Sequence, residues 1–163
     1  MVSNVRPKRI LASFLVVSAV ALYAPLPFAA QEPAASRPSL DYEFYKTKVE
    51  PIFLEKRSPA HARCYVCHEV SKHLGGPLSL ELLLPGKDTW TEEQSRANFK
   101  AVSKLVTPGK PLTSLLLLRP LASEAGGMDG HQGGRQFRSQ EDPDWMIIAD
   151  WIRGKKAEGS SAP

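Results

Sequence analysis

Cys64-Tyr65-Val66-Cys67-His68 is the stretch on which the reading of this chain turns. Two thiols three residues apart, followed at once by a histidine, form the pattern of covalent haem attachment. Each thiol adds across one vinyl group of a porphyrin, so the two sulfurs must reach adjacent edges of one ring. The next residue then lies under the ring with its imidazole aimed at the iron, the place of a proximal ligand. The chain holds only two Cys and four His. Shuffling that composition produces the pentad roughly once in a few thousand trials. A thioredoxin-like redox motif needs a βαβ context, and no strand–helix alternation surrounds this one. A four-ligand zinc site draws on a second Cys or His pair, whereas no Cys remains and His61 and His73 are scattered to either side.

The chain is 163 residues, one domain's worth. Arg6, Lys8 and Arg9 form a basic start, and Ile10 to Ala24 is uncharged and almost wholly apolar. At about fifteen residues that run is short for a membrane span and suits a signal-peptide core. Residues 1–30 therefore read as a signal peptide, with cleavage near Ala29 or Ala30. Pro27 and Phe28 spoil the small-x-small triplet, so an uncleaved anchor is the alternative. The formal charge of +4 includes three basic residues of this segment and no acid, which leaves about +1 for the remainder. Nothing in that balance argues for nucleic acid. Haem attachment would consume both Cys, so no disulfide staples the fold.

Beyond the leader, 31–39, which is rich in Pro, Ala and Ser, the pattern is helical. Asp41 to Lys56 carries Phe44, Val49, Ile52 and Phe53 at helical spacing, with a break or kink expected near Glu50 because Pro51 removes a donor. Glu69 to Leu84 reads as loop, punctuated by Gly75-Gly76-Pro77, its leucines placed to wrap a porphyrin rim. Asp88, Thr89 or Thr91 should open the next helix, to about Leu105, and Thr91-Glu92-Glu93-Gln94 matches a capping box. Thr113 or Ser114 should cap a short helix, Leu115 to Leu118, whose four leucines suggest burial on every side. Ala125 to Gln140 holds five glycines together with Met128 and His131, two candidate iron ligands. A long Gly-rich loop inside a compact domain is usually functional. Glu141 to Gly154 is the last helix, capped by Asp142, with Pro143 in its first turn. Its stripe of Trp145, Ile148, Trp151 and Ile152 should pack on the Phe44/Ile52/Phe53 face. Residues 155–163 read as a disordered tail.

The order of helix, Cys-x-x-Cys-His, wrapping segment, middle helices, ligand loop and terminal helix resembles a class I-type cytochrome c domain. More narrowly, it is similar to single-haem domains of planctomycete and acidobacterial type. The resemblance spans roughly residues 40–154. It rests on Val49-Glu50-Pro51-Ile52-Phe53, the pentad, Gly75-Gly76, Pro108-Gly109-Lys110-Pro111 with Ser114-Leu115-Leu116, and Trp151-Ile152-Arg153-Gly154. It implies an all-α, cytochrome c-like fold of about four helices around one covalent haem c, attached at Cys64 and Cys67 with His68 proximal. In much of that family the sixth ligand is a Met commonly followed by prolines. Here Met128 precedes Asp129 and the loop runs on as His131-Gln132-Gly133-Gly134, which resembles a variant in which His replaces Met. His131 is therefore the favoured distal ligand and Met128 the alternative.

The choice matters because Met/His ligation raises the reduction potential and a second imidazole lowers it. The resemblance implies a periplasmic or exported electron carrier serving redox partner proteins, a donor and an acceptor. Membrane attachment would follow only from an uncleaved N-terminal segment. No residue need act as acid, base or nucleophile. The competing readings are a peroxidase-like enzyme or gas sensor with a labile sixth ligand, and a haem subunit of a larger redox complex.

Overall fold

The computed structural model describes residues 38–59, 61–70 and 76–159. The expected signal peptide, most of the leader, His73, Gly75 and residues 160–163 lie outside them. The described chain is helix-rich, in keeping with an all-α domain. Its one sheet is a short antiparallel hairpin, β1 (Lys56–Ser58) with β2 (His61–Ala62). Among the described residues no helix is long and apolar enough to cross a membrane.

The first helical segment differs from expectation in one respect. α1 (Tyr42–Phe44), a π-helical stretch (Tyr45–Val49) and α2 (Glu50–Leu54) follow one another without interruption. Pro51 has no N–H to give to the turn before it, and its ring crowds the preceding carbonyls. The chain answers by widening rather than breaking: Glu50 N–H donates to the Tyr45 carbonyl, one residue further back than in an α-helix. Pro51 then stands at the start of α2, where a missing donor costs little. Asp41 caps the segment, its carboxylate accepting from Phe44 N–H at 2.7 Å.

α6 (Pro143–Ile152) lies across this segment. Asp142 caps α6 as expected, accepting from Asp144 and Trp145 N–H. Trp145, Ile148, Trp151 and Ile152 are all buried. The centre of the crossing is Trp151 against Tyr45, ring centres 5.4 Å apart, with Phe99 completing the cluster at 5.2 Å from Tyr45 and 6.0 Å from Trp151. Trp151 Nε1–H donates to the Asp41 carbonyl at 2.9 Å, and the Ala157 amide donates to the Asp41 carboxylate at 3.4 Å. One residue thus ties the first helix, the last helix and the segment after it.

α4 (Glu92–Ser103) begins on the expected capping box: Thr91 Oγ1 accepts from Gln94 N–H while Gln94 Oε1 accepts from Thr91 N–H. Its buried face is partly polar. Ser95, Asn98 and Val102 are buried, with Phe99 half-buried. Ser95 donates to Glu50 at 2.8 Å, and Asn98 accepts from the Glu81 amide at 2.7 Å. Burial pushes the Glu50 carboxyl above its ordinary range despite the opposing Ser95 bond. α5 (Leu115–Leu118) forms where expected, but its leucines are not buried all round. Leu116 and Leu117 are buried and Leu115 is exposed, because a single turn packs on the core from one side only. Ser114 precedes α5, yet its hydroxyl serves the preceding turn, accepting from Thr107 N–H and donating to the Lys110 carbonyl.

The aromatic crossing should dominate stability. Trp151→Ala is expected to cost about 3–5 kcal/mol in urea unfolding, whereas Met146→Ala, on the exposed side of the same helix, should stay within about 0.5 kcal/mol.

Candidate haem site

α3 is a single turn, Tyr65–His68, entered from Cys64. The amides of Cys67 and His68 both donate to the Cys64 carbonyl, at 3.2 and 3.1 Å. Residues three and four apart share a helix face, so this turn sets Cys64, Cys67 and His68 on one side. Both cysteines are half-buried and neither is in a disulfide. Tyr65, inside the motif, has an anchoring role that composition does not suggest. Its hydroxyl accepts from the Leu83 amide at 2.9 Å and its ring meets Trp90 edge-on. The segment after the motif is further held by Trp90 Nε1–H and Gln94 Nε2–H, which donate to the carbonyls of Glu81 and Leu82. Leu78 and Leu80 are buried, while Leu82 and Leu84 are exposed.

The imidazole of His68 meets that of His131. Their ring centres are 6.2 Å apart and their planes 25° from parallel. His68 Nδ1 lies 3.2 Å from the Leu78 carbonyl oxygen, and His131 Nδ1 lies 2.6 Å from that of Gly134. A carbonyl oxygen only accepts, so each Nδ1 carries a proton, and a neutral ring so held has its lone pair on Nε2. That is the tautomer a metal-binding histidine uses, with the other nitrogen oriented by a carbonyl. Among the described residues no group of three or more His, Cys, Asp or Glu forms a metal-binding cluster. Two facing imidazoles beside two thiols are instead a donor set that fits a metal held chiefly by a macrocycle.

Met128, the alternative ligand, is held by its backbone. Its N–H donates to the Leu118 carbonyl and its carbonyl accepts from Arg135, while its side chain is 38% exposed. The ligand loop has more order than its glycines promise. Leu121 and Phe137 pair as a parallel bridge at its neck, and Phe137 is buried. Arg135 spans the loop, donating to the carbonyls of Arg119 and Met128 and to Ser123 Oγ. Gly127 admits no side chain: a Cβ there would lie 2.0 Å from the Leu121 carbonyl oxygen. At the tip, a Cβ on Gly133 would stand 3.8 Å from Cys67 Sγ and 3.4 Å from His131 Cε1. The loop backbone therefore comes down onto the attachment turn.

Arg63, the residue before Cys64, carried no signal in the sequence, since a cation beside a motif is ordinarily solvated. Its side chain is only 5% exposed. It pairs with Glu55 at 2.9 Å and Asp144 at 3.1 Å, donates to the Gln136 carbonyl at 2.6 Å, and lies over the Phe137 ring. The Asp144 carboxyl is pushed up to about 6 from 3.8, first by burial and then by the hydrogen bond and charge of Glu55, with Arg63 pulling the other way.

The folded protein thus holds this proton more tightly than the unfolded chain does. Asp144's contribution to stability is greatest below about pH 3.8 and is lost as the pH rises to about 6. Chemical denaturation of wild type and Asp144→Asn should therefore show wild type gaining stability, relative to the variant, as the pH falls from 7 to 4. A relative loss over that window would contradict the assignment. The chain matches no protein-family model, no curated protein and no solved structure, so the meaning of this site rests on its own residues.

Proposed function

We propose that this chain is an exported, cytochrome c-like electron carrier that holds one haem c through Cys64 and Cys67, with His68 as proximal and His131 as distal ligand. The observation that carries the reading is the pair of facing imidazoles, 6.2 Å apart and each with Nδ1 on a backbone carbonyl, next to the two thiols. His131 is preferred to Met128 because its ring, not the thioether, is the group that faces His68. The crossing of the first and last helices, and the segment 78–90 pinned to Tyr65 and α4, support a cytochrome c-like fold.

When bound, the haem supplies a one-electron Fe(III)/Fe(II) couple. The chain's part is to bind and to hold still. Cys64 and Cys67 would anchor the ring edges. The carbonyls of Leu78 and Gly134 orient both imidazoles by accepting from Nδ1, which would leave Nε2 of each ring to the iron. Held by His68 and His131, a haem iron would have no position left for a substrate, so transfer to a donor or acceptor protein would be outer-sphere and no side chain would need to act as acid, base or nucleophile. The basic start and apolar run of residues 1–30 support export to the periplasm, or a tether to the inner membrane where that segment is retained.

Optical spectra of oxidised and reduced holoprotein, with and without CO, test this. Wild type and Met128→Ala should be low-spin and refuse CO, while His131→Ala should turn high-spin and bind it. A sulfur-to-iron near-infrared band lost only in Met128→Ala would overturn bis-histidine ligation. CO binding to wild type would overturn the closed-site carrier in favour of an enzyme or sensor.

A further inference from the structure

We infer that Arg63 is a positioning residue for the distal ligand: its buried guanidinium latches the loop bearing His131 onto the segment bearing Cys64. The inference rests on the bis-histidine reading and adds to it a residue that touches neither ring.

Two connections meet at Arg63. Along the backbone it is bonded to Cys64, and its own N–H donates to the Glu55 carbonyl while Cys64 N–H donates to the Phe53 carbonyl. The attachment turn is thereby hung from the end of α2 and the residue that caps it. Through the side chain, Arg63 reaches the Gln136 carbonyl at 2.6 Å. Gln136 Nε2 in turn donates to the Gly133 carbonyl at 3.2 Å. Gly133 is the residue whose backbone lies against Cys67 Sγ and the His131 ring. A short chain of hydrogen bonds thus runs from the residue before the first thiol to the residue beside the distal imidazole.

The guanidinium is committed to this task by its other partners. Glu55 takes Nε, Asp144 at the start of α6 takes Nη2, and Phe137 covers the plane. A rigid fork satisfies three acceptors in three directions; the single ammonium of lysine does not. Arg135 braces the far half of the loop, from Arg119 to Met128. Arg63 joins the loop's near half, through the Gln136 carbonyl, to the attachment segment.

The test uses holoprotein of wild type, Arg63→Met, Arg63→Lys and His131→Ala. Amide hydrogen exchange over residues 131–137 should rise at least about tenfold in Arg63→Met, the loss of a charge-assisted hydrogen bond, while α4 exchanges as before. The reduced Arg63→Met protein should also bind CO, which wild type refuses. Should Arg63→Met not fold, Arg63→Lys decides: its ammonium goes to the carboxylates and releases the Gln136 carbonyl, so loop exchange and CO binding should both increase. Wild-type loop exchange in these variants, with only a lower unfolding midpoint, would overturn the latch. Faster loop exchange without CO binding would overturn its role in holding the ligand. If His131→Ala keeps the wild-type spectrum, it is the bis-histidine reading that fails, and the exchange data still judge the latch separately.

Discussion

The proposed haem site makes one demand on the chain: two imidazoles from distant parts of it, His68 and His131, must be held with their ring centres about 6 Å apart, each with Nδ1 on a carbonyl. His68 satisfies it cheaply. It sits on a helical turn whose hydrogen bonds are local, and its Nδ1 needs only the Leu78 carbonyl. His131 sits on no helical turn; it opens a tight turn closed by Gly134 N–H on its carbonyl at 3.2 Å. It belongs to a loop where glycines remove the steric reasons for any one conformation, and a loop that samples many conformations holds no ligand still. Much of the surrounding construction compensates for that freedom.

The compensation is polar rather than apolar. Arg135 donates to three acceptors across the first half of the loop, and Arg63 holds the second half from beneath. A guanidinium spans several carbonyls with fixed geometry, so two arginines replace the ladder that a helix or sheet would supply. Gly127 contributes by what it lacks, since any Cβ would strike the Leu121 carbonyl. The same economy appears at α4, where the buried faces of Ser95 and Asn98 meet Glu50 and the Glu81 amide. Buried polar groups are expensive unless paired, and here the pairing covers Glu50 Oε1 and Asn98 Oδ1, while Glu50 Oε2 and Asn98 Nδ2 find no partner among the described residues.

Beneath this polar scaffold lies a conventional apolar one. Tyr45, Phe99 and Trp151 lock the first helix, α4 and the last helix at a single crossing. Asp41 serves there as cap, carbonyl acceptor and tail anchor. The π-helical stretch ahead of Pro51 lets that helix keep its direction through a residue that would otherwise break it. Without a continuous first helix the crossing would lose one of its sides.

By itself the sequence determined whatever depends on neighbours within a few residues. Five-residue spacing marked Cys64, Cys67 and His68 as one unit, Thr91 and Gln94 announced a helix start, Asp142 and Pro143 another, and the Trp145/Ile148/Trp151/Ile152 stripe named a buried face. These were legible because helical hydrogen bonds and caps link residues three to five apart. Tertiary structure decided the rest. Choosing His131 over Met128 to face His68, widening rather than breaking the helix at Pro51, exposing Leu115, and recruiting Arg63, Gln136 and Tyr65 all depend on contacts between residues far apart in the chain. Arg63 is the sharpest case: by composition it is an ordinary surface cation, and only the convergence of Glu55, Asp144, Gln136 and Phe137 around it makes its burial affordable and its position informative.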